Sequence, residues 1–246
     1  MKTVDKALHL LDQFSVEHKE IGLSALARMA GLDKAATRRL LVALAKHGFI
    51  EQSAETKKYR LGHGFLRLAR VREATVPVTQ AAQQAADWLA AQTNETVHLS
   101  LPVAGGMTTI AHCLPNRARV INIIPSELLP YHATASGLAY LAFCDPATRN
   151  SLLSGPLRAY TEKTLTDRQA VLGDLDRFRA QGYTVTRNTF EDDVSSIGMP
   201  FLQRPGRPTG AAAIAVPAAE LTQARQDALL PQLQQAVAEL EQRIAG

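Results

Sequence analysis

Apolar positions in the first third of the chain recur with a helical period. Val4, Ala7, Leu8, Leu10, Leu11 and Phe14 predict an amphipathic helix over 4–14. Gly22 interrupts the pattern, and Ser24 stands where an N-cap would, ahead of Leu26, Ala27 and Ala30. Gly31 ends that short helix. Asp33 is a second N-cap candidate. Ala36, Leu40, Ala43, Leu44 and His47 then share one helical face, widened by Leu41, until Gly48 stops the helix. Two helices joined by a short Gly-containing turn predict a helix-turn-helix. Phe49-Ile50 opens an extended segment, Ser53–Thr56 reads as a turn, and Lys58-Tyr59-Arg60-Leu61 alternates as a half-buried strand does. Together they predict a small basic wing.

The pattern then changes. Residues 62–72 mix Phe65, Leu66, Leu68, Ala69 and Val71 with Arg67, Arg70 and Arg72, which predicts a helix with one apolar side. Val76-Pro77 marks a boundary, because proline restricts the residue before it. Gln80–Gln92 predicts an Ala-rich helix carrying the single Trp, Trp88. Strands are expected at Thr96–Leu101, Met107–His112, Val120–Ile124, Tyr183–Phe190, Ile197–Leu202 and Ala211–Val216, with Pro205-Gly206-Arg207-Pro208 as a turn. Helices are expected at Thr134–Phe143, at Thr166–Gln181 ending on Gly182, and at Leu221–Ile244, kinked at Pro231. Strands interspersed with helices predict an α+β domain. The expected division is 1–61, a linker helix at 62–75, and 76–246.

Charge sharpens that division. Residues 1–72 hold 14 Lys/Arg against 7 Asp/Glu, a surplus of seven, whereas 73–246 hold 13 against 16, a deficit of three. A basic first unit suits a polyanion. Lys34, Ala35, Ala36, Thr37, Arg38 and Arg39 fall on the leading turns of the third helix, and the N-terminal end of such a helix reaches base edges in a major groove about 12 Å wide. Arginine can hold guanine O6 and N7 together; Thr37 can donate, accept or touch a thymine methyl. Lys57, Lys58 and Arg60 on the wing suit phosphates, with Ser24 beside them in the candidate DNA-binding set. A solvated helix face is the plain alternative, but acidic residues are missing from Lys34 to Lys46.

Several separated motifs resemble the IclR family of bacterial transcription regulators. They are Val4-Asp5-Lys6-Ala7-Leu8, Leu23-Ser24-Ala25-Leu26-Ala27, Gly31-Leu32-Asp33-Lys34, Arg39-Leu40-Leu41, His47-Gly48-Phe49-Ile50-Glu51 and Lys58-Tyr59-Arg60-Leu61-Gly62. The similarity continues through Glu95-Thr96-Val97-His98-Leu99, through His132-Ala133-Thr134-Ala135 with Gly137, and through Gly182-Tyr183, Phe190-Glu191 and Ser196-Ile197. It implies a winged helix-turn-helix, a linker helix that helps pair subunits, and a GAF-like effector-binding domain built on a mixed sheet. It further implies a double-stranded, pseudo-palindromic DNA operator and a homodimer or a tetramer made of two dimers. Effector contacts are implied at Ala135, Ser136, Thr186, Ser196, Ala213 and Ala215, with Leu129 in the wall. Relatives usually carry Ser-Thr where this chain has Ala35-Ala36. Relatives that bind very small keto acids carry an acid near Thr186, a thiol at Ser196 and hydroxyls at Ala213 and Ala215. The replacements here imply a less polar cavity, and an organic acid, aromatic acids included, as the effector.

Catalytic, cofactor and metal chemistry find little support. G-x-S-x-G, P-loop and dinucleotide patterns are missing, and Asp192-Asp193 would point to opposite faces of a strand. His98, His112, His132 and Cys113 lack metal-ligand spacing. The longest apolar run, Ala211–Ala219, is too short to span a bilayer, and the first residues do not read as a secretion signal. Two cysteines make no disulfide framework, so a cytoplasmic protein with reduced thiols is expected. The sequence-based reading is a ligand-responsive DNA-binding regulator, repressor or activator. Its rivals are a metabolite-processing enzyme with a nucleic-acid-tethering domain and a constitutive architectural DNA binder.

Overall fold

The structure, a computed structural model, describes residues 2–76, 78–118, 120–204 and 207–245. It divides into two compact units, Met1–Pro77 and Val78–Gly246. Pro77, Pro205 and Gly206 lie outside the described residues, and with them the expected break at Val76-Pro77 and half of the expected turn.

In the first unit the order is α1 (Thr3–Leu11), α2 (Leu23–Met29), α3 (Lys34–Lys46), β1 (Ile50–Gln52), β2 (Tyr59–Leu61) and α4 (Gly64–Thr75). Leu10, Ile21, Leu26, Leu41, Ile50 and Tyr59 form its core. β1 and β2 pair antiparallel, Ile50 opposite Leu61, and Tyr59 also bridges to Ile21 through N–H···O bonds of 2.8 and 2.9 Å. α1 ends three residues before Phe14, and its Val4 and Leu8 stay exposed. α2 is capped by Gly22 rather than Ser24, which lies inside the first turn. α3 begins as expected: Asp33 Oδ1 accepts the Ala36 N–H at 2.7 Å.

The buried face of α3 differs from the expected one. Thr37 and Leu41 point inward, Leu40 and Leu44 are half-buried, and Ala43 and His47 are exposed. Residues 36, 40, 43, 47 and residues 37, 41, 44 make equally good helical stripes. Thr37 can be buried because its hydroxyl donates to the Asp33 carbonyl at 2.9 Å, four residues back.

The second unit runs α5 (Val78–Thr93), β3 (Thr96–Val103), β4 (Gly106–Cys113), β5 (Leu128–Leu129), α6 (Ala135–Phe143), α7 (Pro146–Leu152), α8 (Arg168–Gln181), β6 (Thr184–Arg187), β7 (Val194–Arg204), β8 (Arg207–Pro217), a 3-10 turn (Ala218–Glu220) and α9 (Gln223–Ile244). The strands form one sheet in the order β5-β4-β3-β8-β7-β6. Every pairing among them is antiparallel, so the sheet is not mixed as the resemblance implied. The expected strand at Val120–Ile124 does not form; that stretch is irregular, and the short β5 lies just beyond it. α7 was not legible in the apolar pattern. α9 continues through Pro231 as one helix.

Alternation along β8 explains the layers. Ala212, Ile214 and Val216 pack with α5 and α9 through Ala82, Leu89, Leu233 and Leu240. Ala211, Ala213 and Ala215 take the opposite face, where Ala211 joins the cluster of α6 and α8 residues Leu138, Leu141, Leu175 and Phe178. A strand buried on both faces reads as a continuous apolar run, as 211–217 does. Glu95, fully buried ahead of β3, pairs with Arg117 at 2.6 Å and Arg225 at 2.8 Å, and Arg117 reaches Glu220 at 3.0 Å. This network ties the segment after β4 to the start of α9.

The start of α6 sits directly on β7. A Cβ at Gly198 would lie 2.6 Å from the Ala135 carbonyl oxygen and 2.7 Å from its carbon. Gly198→Ala is expected to lower stability by about 1–3 kcal/mol in urea denaturation, as overpacking does. Gly173→Ala, at an exposed position of α8 where a Cβ meets nothing within 4 Å, is expected to raise it by about 0.5–1 kcal/mol.

Candidate functional site

Two features carry chemistry, one in each unit. In the first, Asp33 fixes the start of α3 and so the direction of its leading turn. Lys34, Ala35, Arg38 and Arg39 are exposed there, and Ala36 is half-buried. No ion pair among the described residues involves Lys34, Arg38 or Arg39. Thr37 is 0% exposed and faces the core, so it is not placed to touch a base. Ser24 is exposed on α2. On the wing, Lys57 takes a left-handed backbone (φ 57°) in the turn, and Lys57 and Lys58 are exposed. Arg60 is already engaged: its Nε and Nη2 donate to Glu51 at 3.2 and 3.1 Å, and Glu20 lies 3.8 Å away.

In the second unit a cavity of about 60 Å³ opens above the inner face of the sheet. One water needs roughly 10–15 Å³ measured this way, so this is more than a packing defect. Strand register sets its floor. Thr96, Ala215, Ser196 and Thr186 lie in one row across β3, β8, β7 and β6. His98, Ala213 and Gly198 lie in the next, with His112 beyond His98 on β4. Small residues there leave space above the sheet.

The walls come from three places. Ile121, Asn122, Ile123 and Ile124 line one side, held to the floor by the Thr96 hydroxyl, which donates to the Ile121 carbonyl at 2.7 Å. Phe190, Glu191 and Val194 line another. The third is the start of α6, with Ala133, Thr134 and Ala135. That start is firmly held. The Thr134 hydroxyl donates to the Pro130 carbonyl at 2.9 Å and accepts the Gly137 N–H at 3.1 Å. Thr184 donates to the Ala135 carbonyl at 2.8 Å, and Thr189 to the Ala133 carbonyl at 2.6 Å. The first N–H groups of a helix have no partner within it and carry partial positive charge, which favours an anion.

Of the effector contacts expected from sequence, Leu129, Ala135, Thr186, Ser196 and Ala215 line the cavity together. Ser136 and Ala213 do not. Both are fully buried, and Ser136 Oγ lies 3.5 Å from Thr134 Oγ1. Six polar residues in the lining were not among the expected contacts: His98, Asn122, Glu127, Thr134, Thr189 and Glu191. Burial raises the Glu191 carboxyl pKa above its ordinary value, and the Glu127 charge adds to the effect. Burial, and after it the neighbouring His112, push the His98 pKa down to about 4, so its ring is neutral at physiological pH. The signal for His98 was in the sequence. Thr96, His98 and Ser100 place a polar residue at every second position of β3, and all three are buried on one face.

Among the described residues no group of three His, Cys, Asp or Glu side chains is arranged to hold an ion. His132 instead pairs its Nε2 with the Arg158 carbonyl at 2.9 Å, and Cys144 is buried. No helix among the described residues is long and apolar enough to cross a membrane.

Comparison with known proteins gives these features a context. Residues 3–54 match the IclR helix-turn-helix domain, and residues 73–242 match the bacterial transcriptional regulator IclR C-terminal domain. The HTH-type transcriptional regulator XynR of Escherichia coli K12 is 28% identical over 247 residues, 96% of this chain and 94% of the relative. The crystal structure of an IclR transcriptional regulator from Silicibacter sp. TM1040 is 36% identical and superposes with a TM-score of 0.94, covering 100% of this chain and 97% of that one. An IclR homolog from Microbacterium hydrocarbonoxydans, crystallised with 4-hydroxybenzoate, shares the fold at 21% identity and a TM-score of 0.80, covering 99% of both chains. These are transcriptional regulators rather than enzymes. The chain belongs to the IclR family of transcriptional regulators.

Proposed function

We propose that this regulator senses a small organic acid in the cavity at the start of α6 and adjusts its hold on a specific DNA operator in response. What most supports DNA reading is the leading turn of α3, where Lys34, Arg38 and Arg39 are exposed without intrachain ion pairs. Arg38 and Arg39 would read base edges, with Ala35 and Ala36 limited to methyl contacts. Lys57 and Lys58 would hold phosphates, and Ser24 and Arg60 would add backbone contacts at the flanks. Paired subunits, as a dimer or a tetramer, would set two such helices about 34 Å apart on a pseudo-palindrome. Exposed Leu66, Leu68 and Val71 on α4 supply apolar surface for that pairing.

The acid reading is supported by the helix start in the wall and by apolar Ile121, Ile123, Leu129 and Phe190 around it. The Microbacterium relative, bound to 4-hydroxybenzoate, is consistent with this ligand class. Effector and operator would be coupled by about 1–3 kcal/mol, a 5- to 150-fold change in affinity.

The DNA half is tested with a duplex selected from genomic fragments, in gel shifts at several salt concentrations. Arg38→Ala and Arg39→Ala are expected to cut discrimination against random DNA by about 1–3 kcal/mol each. Lys57→Ala is expected to weaken both duplexes alike and lower the salt slope by about one. Thr37→Val is expected to leave discrimination unchanged while costing about 1 kcal/mol of stability. Equal losses in all four would contradict this division of roles.

The effector half is tested by calorimetry with a panel of monocarboxylic acids. At least one is expected to bind, and Ala215→Phe, which fills the cavity, is expected to weaken it by tenfold or more with an unchanged circular dichroism spectrum. Undiminished binding by Ala215→Phe would place the ligand elsewhere.

A further inference from the structure

His98 is at odds with its surroundings in a way that points to the ligand. It projects from β3 into the cavity with 6% of its surface exposed. Neither ring nitrogen has a protein hydrogen-bond partner among the described residues. Buried polar atoms are paired in the great majority of cases, and exceptions ask for an explanation. Its cross-strand neighbours are Ala213, which offers only a methyl group, and His112. A leucine would fill the same space without two unpaired polar atoms.

Two polar parts of the cavity lining offer different chemistry. The start of α6 presents N–H groups, which are donors only and suit a carboxylate. A neutral imidazole presents one donor and one acceptor, and suits a group that both donates and accepts. His98 is held neutral by burial. The simplest such group is a hydroxyl. Ile123, Leu129 and Phe190 also line the cavity and suit an apolar body. Glu127 and Glu191, also in the lining, would oppose a second carboxylate through like charge.

We infer that the effector is a monocarboxylic hydroxy acid, and that His98 is the residue that selects for its hydroxyl group. The inference rests on the reading that the cavity takes an organic acid, and it goes further by assigning the second functional group and the side chain that recognises it. A site built to hydrogen-bond a hydroxyl rejects the analogue lacking it far more strongly than an apolar pocket rejects a small change in bulk.

Matched acids test it in calorimetry with the full chain. The probes are benzoate with its three monohydroxy isomers, butanoate with its 2-, 3- and 4-hydroxy derivatives, and terephthalate as a dicarboxylate. For at least one parent acid, a hydroxy derivative is expected to bind at least tenfold tighter. His98→Leu is expected to erase that gain while leaving the parent acid's affinity within about twofold. His98→Gln, which keeps a donor and an acceptor, is expected to retain part of it. Terephthalate is expected not to bind. Without ligand, His98→Leu is expected to melt no lower than wild type, because it removes two unpaired polar atoms; a lower melting point would indicate a structural role and count against the assignment. Acids that bind with no gain from a hydroxyl, or a gain that survives in His98→Leu, would overturn the role of His98 and leave the acid reading standing. Terephthalate binding as tightly as a hydroxy acid would overturn the restriction to one carboxylate. If no acid in the panel binds wild type, the acid reading falls and this assignment with it.

Discussion

The first turn of α6 rests on the backbone of β7, and that close approach shapes the whole second unit. Gly198 permits it, because any side chain there would strike the Ala135 carbonyl. Thr184 secures it by donating to the same carbonyl at 2.8 Å. With α6 seated, Ala133, Thr134 and Ala135 at its start line the cavity. The alanines and serine of the neighbouring rows are too short to fill the space that remains. The cavity is therefore a consequence of a helix docked low on a sheet floored by small side chains. The Glu95–Arg117–Arg225 network, centred on a fully buried carboxylate, steadies the root of the segment whose residues 121–124 line the cavity. Breaking a buried pair of this kind leaves a charge uncompensated, so such networks are costly to disturb.

The first unit follows a different logic. Its core is small, and the direction of α3 is set locally, by the Asp33 cap and by the choice between two equivalent apolar stripes. Burying Thr37 with Leu41 turns Arg38 and Arg39 outward together. The exposed arginines proposed to read DNA thus adjoin a core position in sequence, and a threonine expected to meet DNA packs in the core instead.

Most of the fold was legible because its elements have strong periodic or compositional signals. The helices of the first unit, the wing, α5, α6, α8 and α9 and the long strands all fall close to where apolar spacing puts them. Each miss has its own physical cause. Val120–Ile124 is rich in β-branched residues and looks like a strand, yet its backbone is irregular and its side chains serve a cavity instead of a sheet. Ser24 has the chemistry of a cap, but Gly22 already occupies that place. Ser136 and Ala213 were assigned to the site by resemblance and are sealed beside it, because one residue along a helix or one row along a sheet separates lining from packing. Glu127 and Glu191 come from segments without regular structure, where no period reports which way a side chain faces. His98 was legible in principle, since alternation along Thr96, His98 and Ser100 marks a polar inner face. That both of its ring nitrogens lack partners among the described residues is not something alternation reports.

The central claim is that occupancy of the cavity and affinity for DNA are linked. Linkage is reciprocal, so it can be read from either side. The most direct measurement is the calorimetric affinity of a bound monocarboxylic acid for the free protein and for the protein saturated with its selected operator duplex. The two affinities are expected to differ by a factor between about 5 and 150. Identical affinities in the two states would contradict the linkage and leave a DNA-binding protein whose cavity does not control it.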